Sequence, residues 1–286
     1  MRALRSFLFV PGDSARKFEK ARGSGADALI LDLEDSVAPE AKPGARKSVQ
    51  AMLGERGQGQ TIFVRVNALA TGLSLEDLGA VVGRCDGIML PKCSGAADVL
   101  RLSFYLDAFE SAFGAEAGST RILPIVTETA ESLFGLAQYP RNEGSRLAGL
   151  VWGAEDLAAD IGASRKRGPN GYSGLFLMAR NSCLLAAARA GLPAIDTVYT
   201  AIPDLEGLLH EAEEARADGF QAKLAIHPTQ IETINKAFSI TPEERAWAEG
   251  IVAAFAREPG KGALRVGDQM VDVPHLRLAE KILARR

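Results

Sequence analysis

Two acidic pairs and one arginine carry most of the chemistry this sequence can do. Glu128 closes the apolar run ILPIVTE, Glu155 and Asp156 close LVWGAED, and Glu34 and Asp35 close ALILDLED. Each run reads as a strand buried on both faces, and a carboxylate at the end of such a strand is not a packing residue. If the strands ending at Glu128 and Asp156 are neighbours, they lie about 5 Å apart. Two carboxylates that close repel unless one is protonated or a cation lies between them. A hard divalent ion resolves the conflict, because two carboxylates, waters and substrate oxygens make a typical Mg²⁺ arrangement. The competing reading is that each acid caps the following helix or pairs with a surface lysine.

The remaining candidates surround that pair. Strand alternation places Asp32 and Glu34 on one side and Asp35 on the other, where they could hold metal-bound waters or orient a basic neighbour; Asp35 could equally cap a helix. Arg65 lies between Val64 and Val66 in TIFVRVN. A guanidinium inside an apolar strand needs anionic partners, and its fork suits a substrate carboxylate or a structural pair with Asp32 or Glu34. Asn67 could bond Arg65 or substrate. Lys92 follows Leu90-Pro91 as an anion contact or an ion-pair partner. His227 reads as a packed, hydrogen-bonded residue rather than a base, and no histidine pair has zinc spacing. Arg16, Lys17, Lys20, Lys42 and Arg46 could form a basic rim suited to a phosphate-bearing carrier, or simply solvated helix faces.

These side chains need a scaffold that gathers strand ends. Strands are expected over Ser6–Val10, Ala28–Leu33, Thr61–Val66, Gly87–Leu90, Ile122–Thr127, Gly149–Trp152, Ala194–Tyr199 and Ala222–Ile226, with helical spacing between them. Strand alternating with helix argues for a parallel sheet. About eight such units match a closed (β/α)8 TIM barrel, whose chemistry sits at the C-terminal ends of the strands; an open doubly wound sheet is the alternative. The expected domains are the barrel over 1–235 and a C-terminal helical or flap extension over 236–286, acting as a lid or a subunit-swapped arm.

Composition narrows the class. The chain has 286 residues, is 47% hydrophobic and 24% charged, and carries a net charge of −3, which gives no support to nucleic-acid or anionic-membrane binding. No apolar stretch reaches the roughly 20 residues of a membrane span, and Pro11-Gly12-Asp13 interrupts any secretory signal. Three cysteines without metal spacing argue against a disulfide framework and for a reducing cytoplasm.

Taken in order, LFVPGDSARKFEKA, DALILDLEDSVAPEAK, VRVN, MLPK, TETAESL, GAEDLAADIG and AIHPTQI resemble the citrate lyase beta-subunit family, which is related to malyl-CoA and citramalyl-CoA lyases. The resemblance implies a TIM barrel with Mg²⁺ on Glu128 and Asp156, and Glu34 and Asp35 behind the metal waters. It implies that Arg65 holds an oxaloacetate-like or glyoxylate-like fragment. Asp272, in MVDVP, corresponds to an acid/base group that relatives present to a neighbouring subunit of a homotrimer; an oligomer, trimer or hexamer, is expected. Lys17 and Lys42 would lie near CoA or an acyl-carrier arm. The implied reaction is carbon–carbon cleavage of a 3-hydroxyacyl thioester into an acyl thioester and a 2-keto acid. The alternatives are an aldolase-type lyase on free keto acids and a non-catalytic carrier-binding subunit.

Overall fold

The computed structural model describes residues 4–141, 144–168 and 171–284. Eight strands form one parallel sheet: β1 (Ser6–Pro11), β2 (Ala28–Asp32), β3 (Thr61–Arg65), β4 (Gly87–Leu90), β5 (Arg121–Pro124), β6 (Leu150–Val151), β7 (Ala194–Asp196) and β8 (Ala222–Ala225). They pair in sequence from β1 to β5, β6 pairs with β7, β7 with β8, and β8 with β1. The sheet closes between β5 and β6 through single bridges, Ile122 to Leu147 and Ile125 to Val151, backed by Val126 N–H donating to Val151 O at 2.8 Å. The result is the expected (β/α)8 barrel. A short ribbon, Arg167–Gly168 with Gly171–Tyr172, stands apart from the sheet.

The strands form because their residues are apolar and β-branched and can be buried on both faces; all five residues of β2 are buried. The helices that cover the sheet are α1 (Ala15–Arg22), α2 (Lys42–Gly54), α3 (Ser74–Val81), α4 (Ala96–Phe113), α5 (Ala130–Gly135), α6 (Glu155–Asp160), α7 (Gly174–Ala190), α8 (Leu205–Asp218) and α9 (Ile231–Ala237). Thr129 caps α5 in a reciprocal box with Ser132. Gly12, at the β1–α1 corner, donates to Asp32 O at 2.8 Å. A Cβ there would fall 2.6 Å from that oxygen, so the corner beside Asp32 requires glycine.

The chain divides into two compact units, one spanning Arg5–Ala237 and the other formed mainly by residues from Phe238 onward. The second contains α10 (Pro242–Arg257), an antiparallel hairpin of β9 (Ala263–Val266) and β10 (Gln269–Asp272), and α11 (Val273–Ala284). Thr241 caps α10 with Glu244 and Pro242 follows it, as the Thr-Pro-Glu-Glu start predicts. Its own core includes Ile251, Phe255, Leu264, Val271 and Ala279. Among the described residues no helix is long and apolar enough to cross a membrane.

Candidate active site

The C-terminal ends of the barrel strands surround a cavity of about 330 Å³, lined by Asp32, Asp35, Arg65, Glu128, Asp156 and the faces of Phe9 and Trp152, among others. Four of the expected site residues, Asp35, Arg65, Glu128 and Asp156, therefore meet in one place. Asp32 and Arg65 oppose each other in the β2–β3 register, which explains their pairing: Arg65 Nε and Nη2 each donate to Asp32 at 2.7 Å. Arg65 Nη1 lies 3.1 Å from Glu34 Oε2, an ion pair without hydrogen-bond geometry. The guanidinium also sits over the Phe9 ring, 4.8 Å from its centroid. The structural pairing is thus the dominant one for the fork. Asp32 takes the bidentate edge, and the remaining nitrogen, Nη1, stands beside Glu34 and Asp35.

Lys92 is the centre of the acidic side. Its Nζ is 2.5 Å from Glu34, 3.3 Å from Asp156 and 3.5 Å from Asp35, while its backbone N–H donates to Glu128 Oε2 at 2.5 Å. Among the described residues it is the lone non-glycine with positive φ, at 49°, a conformation that costs about 1 kcal/mol or more and collects at functional sites. The alternation expected for Glu34 and Asp35 fails here. The strand ends at Asp32, the chain turns, and both acids reach the same lysine.

Charge and burial set the electrostatics. Burial, and then repulsion from Asp156, push the Glu128 carboxyl up to about 8, against the pull of the Lys92 N–H. Burial also raises Glu34, although Arg65 and Lys92 pull the other way. For Asp32, burial opposes ionisation but the bonds from Arg65 outweigh it and hold the carboxyl below its ordinary value. Arg65 and Lys92 both lose hydration to burial, yet their carboxylate partners hold both above their usual range. The loops bearing Glu128 and Asp156 are tied together by Thr127, whose hydroxyl accepts from Gly153 N–H at 2.9 Å and donates to Gly153 O at 3.2 Å. Gly153 makes the room: a Cβ there would come within 3.0 Å of Glu128 Cγ.

Other expected residues lie elsewhere or do other work. Lys42 Nζ donates to Leu33 O and Glu34 O at 2.9 Å and to Asn67 Oδ1 at 2.6 Å. Arg46 is buried against Asp77 and Glu76. Neither contributes to a basic rim, because both charges are consumed in joining the β2 and β3 ends to α2 and α3. Asn67 is buried and donates to Asp77 and Leu33 O, which removes it as a substrate contact. Lys17 is exposed on α1. His227 is not packed; it is exposed and caps the turn at Pro228 by accepting from Thr229 N–H. Asp272 belongs to the second unit, 2.5 Å from His275 Nδ1, a contact that holds its carboxyl below the ordinary range.

Sequence reasoning missed a second charged network, behind the cavity wall. Trp152 Nε1 donates to Asp196 at 2.6 Å. Lys223, wholly buried, bonds Asp196 at 2.5 Å and Glu211 at 2.8 Å. Arg167 pairs with Glu211 and covers the Tyr172 ring, and Tyr172 meets Trp152 edge-on. The signal was present: a lysine inside AKLAI and an aspartate inside AID demand each other.

Relatives place this arrangement. A sequence model described as HpcH/HpaI aldolase/citrate lyase matches residues 5–228. The chain belongs to that family. It is 37% identical over 281 residues to a citrate lyase subunit beta-like protein of Mycobacterium tuberculosis, covering 98% of this chain and 94% of the relative. It is 38% identical over 290 residues to a (3S)-malyl-CoA thioesterase of Cereibacter sphaeroides, with the same coverage. The crystal structure of CitE from Mycobacterium tuberculosis in complex with magnesium, acetoacetate and coenzyme A matches with a TM-score of 0.79 at 36% identity, over 100% of this chain and 99% of that one.

Proposed function

We propose that this family member is a Mg²⁺-dependent carbon–carbon lyase. Its substrate would be a 3-hydroxyacyl thioester of the citryl-CoA or malyl-CoA type, split into an acyl thioester and a 2-keto acid such as oxaloacetate or glyoxylate. The observation that carries the proposal is the meeting of Glu128, Asp156 and Arg65 around one cavity at the strand ends. The relative solved with magnesium, acetoacetate and coenzyme A supports the same cofactor and substrate classes.

The residues fit a hard divalent ion. The donors are carboxylate oxygens, burial and then repulsion from Asp156 raise Glu128, and an ammonium already stands among them. Among the described residues no group of three or more His, Cys, Asp or Glu is arranged to hold a metal; two carboxylates, with waters and substrate completing the shell, suit Mg²⁺ in particular. Glu128 and Asp156 would hold it, and when bound it supplies Lewis-acid polarisation of the substrate's hydroxyl and carboxylate oxygens.

The chain's own groups supply the rest. Arg65, pinned by Asp32, keeps a fixed positive charge at the cavity and meets the keto-acid carboxylate without reorganising. Phe9 and Trp152 give the cavity apolar walls that exclude water. Glu34 and Asp35 fix Lys92 and Arg65. Asp272 is the proposed group that gives or takes the proton at the thioester α-carbon. Lys17 remains the proposed contact for CoA or a carrier arm, and Lys42 is assigned to the scaffold. The reading includes a homo-oligomer, trimer or hexamer, in a reducing cytoplasm where Cys85, Cys93 and Cys183 stay free.

The test is a product assay of the isolated chain on citryl-CoA, malyl-CoA and citramalyl-CoA with and without Mg²⁺. Mg²⁺-dependent release of an acyl-CoA and a keto acid is expected; inactivity on every thioester would refute the lyase. The similarity to a malyl-CoA thioesterase favours one second reading, hydrolysis at the thioester, which yields free CoA and malate instead. Cleavage of free keto acids without thioester would favour the aldolase alternative.

A further inference from the structure

Lys92 has more to do than bind an anion. Its ammonium bonds Glu34, approaches Asp156 and Asp35, and its own backbone N–H holds Glu128. The lysine therefore touches both proposed metal-binding carboxylates, one through the side chain and one through the main chain. The backbone of Lys92 is left-handed, with φ at 49°, where its N–H meets Glu128 and its side chain meets Glu34. An acidic group of this density cannot stay assembled around a cavity without a compensating charge.

We propose that Lys92 is a built-in counter-cation: it keeps the acidic side of the cavity assembled when no divalent ion is bound, and its ammonium must release Asp156 when one enters. This inference rests on the metal reading above and deepens it. Two opposite effects follow. The lysine stabilises the metal-free protein, and it weakens divalent-ion binding, since a cation arriving at Asp156 meets a positive charge within a few Å. A lysine that merely braced the fold would do the first without the second; its removal would loosen both the protein and the ion.

The experiment is isothermal titration of the full-length protein with Mg²⁺, together with thermal unfolding in a chelator. Lys92→Met, which keeps the chain length and loses the charge, is expected to bind Mg²⁺ roughly ten-fold more tightly or better, while melting below the wild type in the chelator. Lys92→Arg, which keeps the charge, is expected to stay near the wild-type affinity. Unchanged or weaker binding by Lys92→Met would overturn the proposal while leaving the metal site standing. A wild type that binds no Mg²⁺, or binds it unaltered in Glu128→Gln, would sink both the metal reading and this one. Should Lys92→Met not fold, acetylation footprinting of the wild type decides: Lys92 labelling should rise when Mg²⁺ is added, and equal labelling in both states would overturn the proposal.

Discussion

The environment of Glu128 moves it far from its ordinary chemistry. Its carboxyl is raised from 4.5 to about 8, first by burial and then by Asp156. In the metal-free protein the folded state therefore holds this proton more tightly than the unfolded chain does. The associated stability is complete below about 4.5 and is lost as pH rises through about 8, on the order of a few kcal/mol. Thermal unfolding in a chelator should fall in midpoint between pH 5 and pH 9, and Glu128→Gln should flatten that slope. Arg65→Ala should reduce kcat by roughly 10²–10³, as loss of a fixed charge-stabilising donor does, measured by steady-state assay on the active thioester. The strand-end acids and Arg65 were legible because a charge that closes or interrupts an apolar run has few reasons to be there. The roles of Lys42 and Asn67 were not legible, and for Lys92 the ion-pair alternative was legible but its partners were not, since each depends on which carbonyl or carboxylate the folded loops bring within reach, and sequence spacing does not encode that.

Between elements, the clearest structural anchor is Glu110 on α4. It is buried, bonds Arg146 at 2.6 and 2.8 Å, and accepts the amides of Gly118 and Thr120 at 2.8 Å. Burial opposes its ionisation, but Arg146 and those amides outweigh it and push the carboxyl down to about 2. The stability it contributes is present above its unfolded value of about 4.5 and is lost as pH falls toward 2. Glu110→Ala, which leaves a buried arginine half-paired, should cost about 3–5 kcal/mol by urea denaturation and move the acid transition. A second contact controls the Lys92 loop. At Gly135, at the end of α5, a Cβ would lie 2.2 Å from Ser94 O; Gly135→Ala should therefore push that loop away and weaken the site without touching it. The elements themselves were readable: α7 spans Gly174–Ala190 as expected, and every barrel strand begins within one residue of its expected start. What sequence pattern overestimated was the strand ends. The observed strands stop at Asp32, Arg65 and Pro124, and beyond them only single backbone bonds, such as Leu33 N–H to Arg65 O and Val126 N–H to Val151 O, carry the pairing on.

At the scale of the whole molecule, eight β/α repeats made the barrel legible, whereas the closing order around it came from hydrogen bonds that no periodicity records. Those bonds are unevenly shared. The β1–β2 and β2–β3 pairs each match five residues in register, whereas β5 and β6 meet at two isolated bridges. Glu128 lies just beyond one side of that junction and Asp156 just beyond the other. The cylinder should consequently unzip first between β5 and β6, and its amides should trade protons with solvent sooner than those of β2. An ion gripped by both acids would act as a latch across the gap. In hydrogen-exchange mass spectrometry, Mg²⁺ at a hundred times its Kd should slow deuterium uptake at Val126 and Trp152 by up to roughly a hundredfold and leave the β1–β2 amides unmoved, so that one cofactor would both arm the chemistry and fasten the barrel shut.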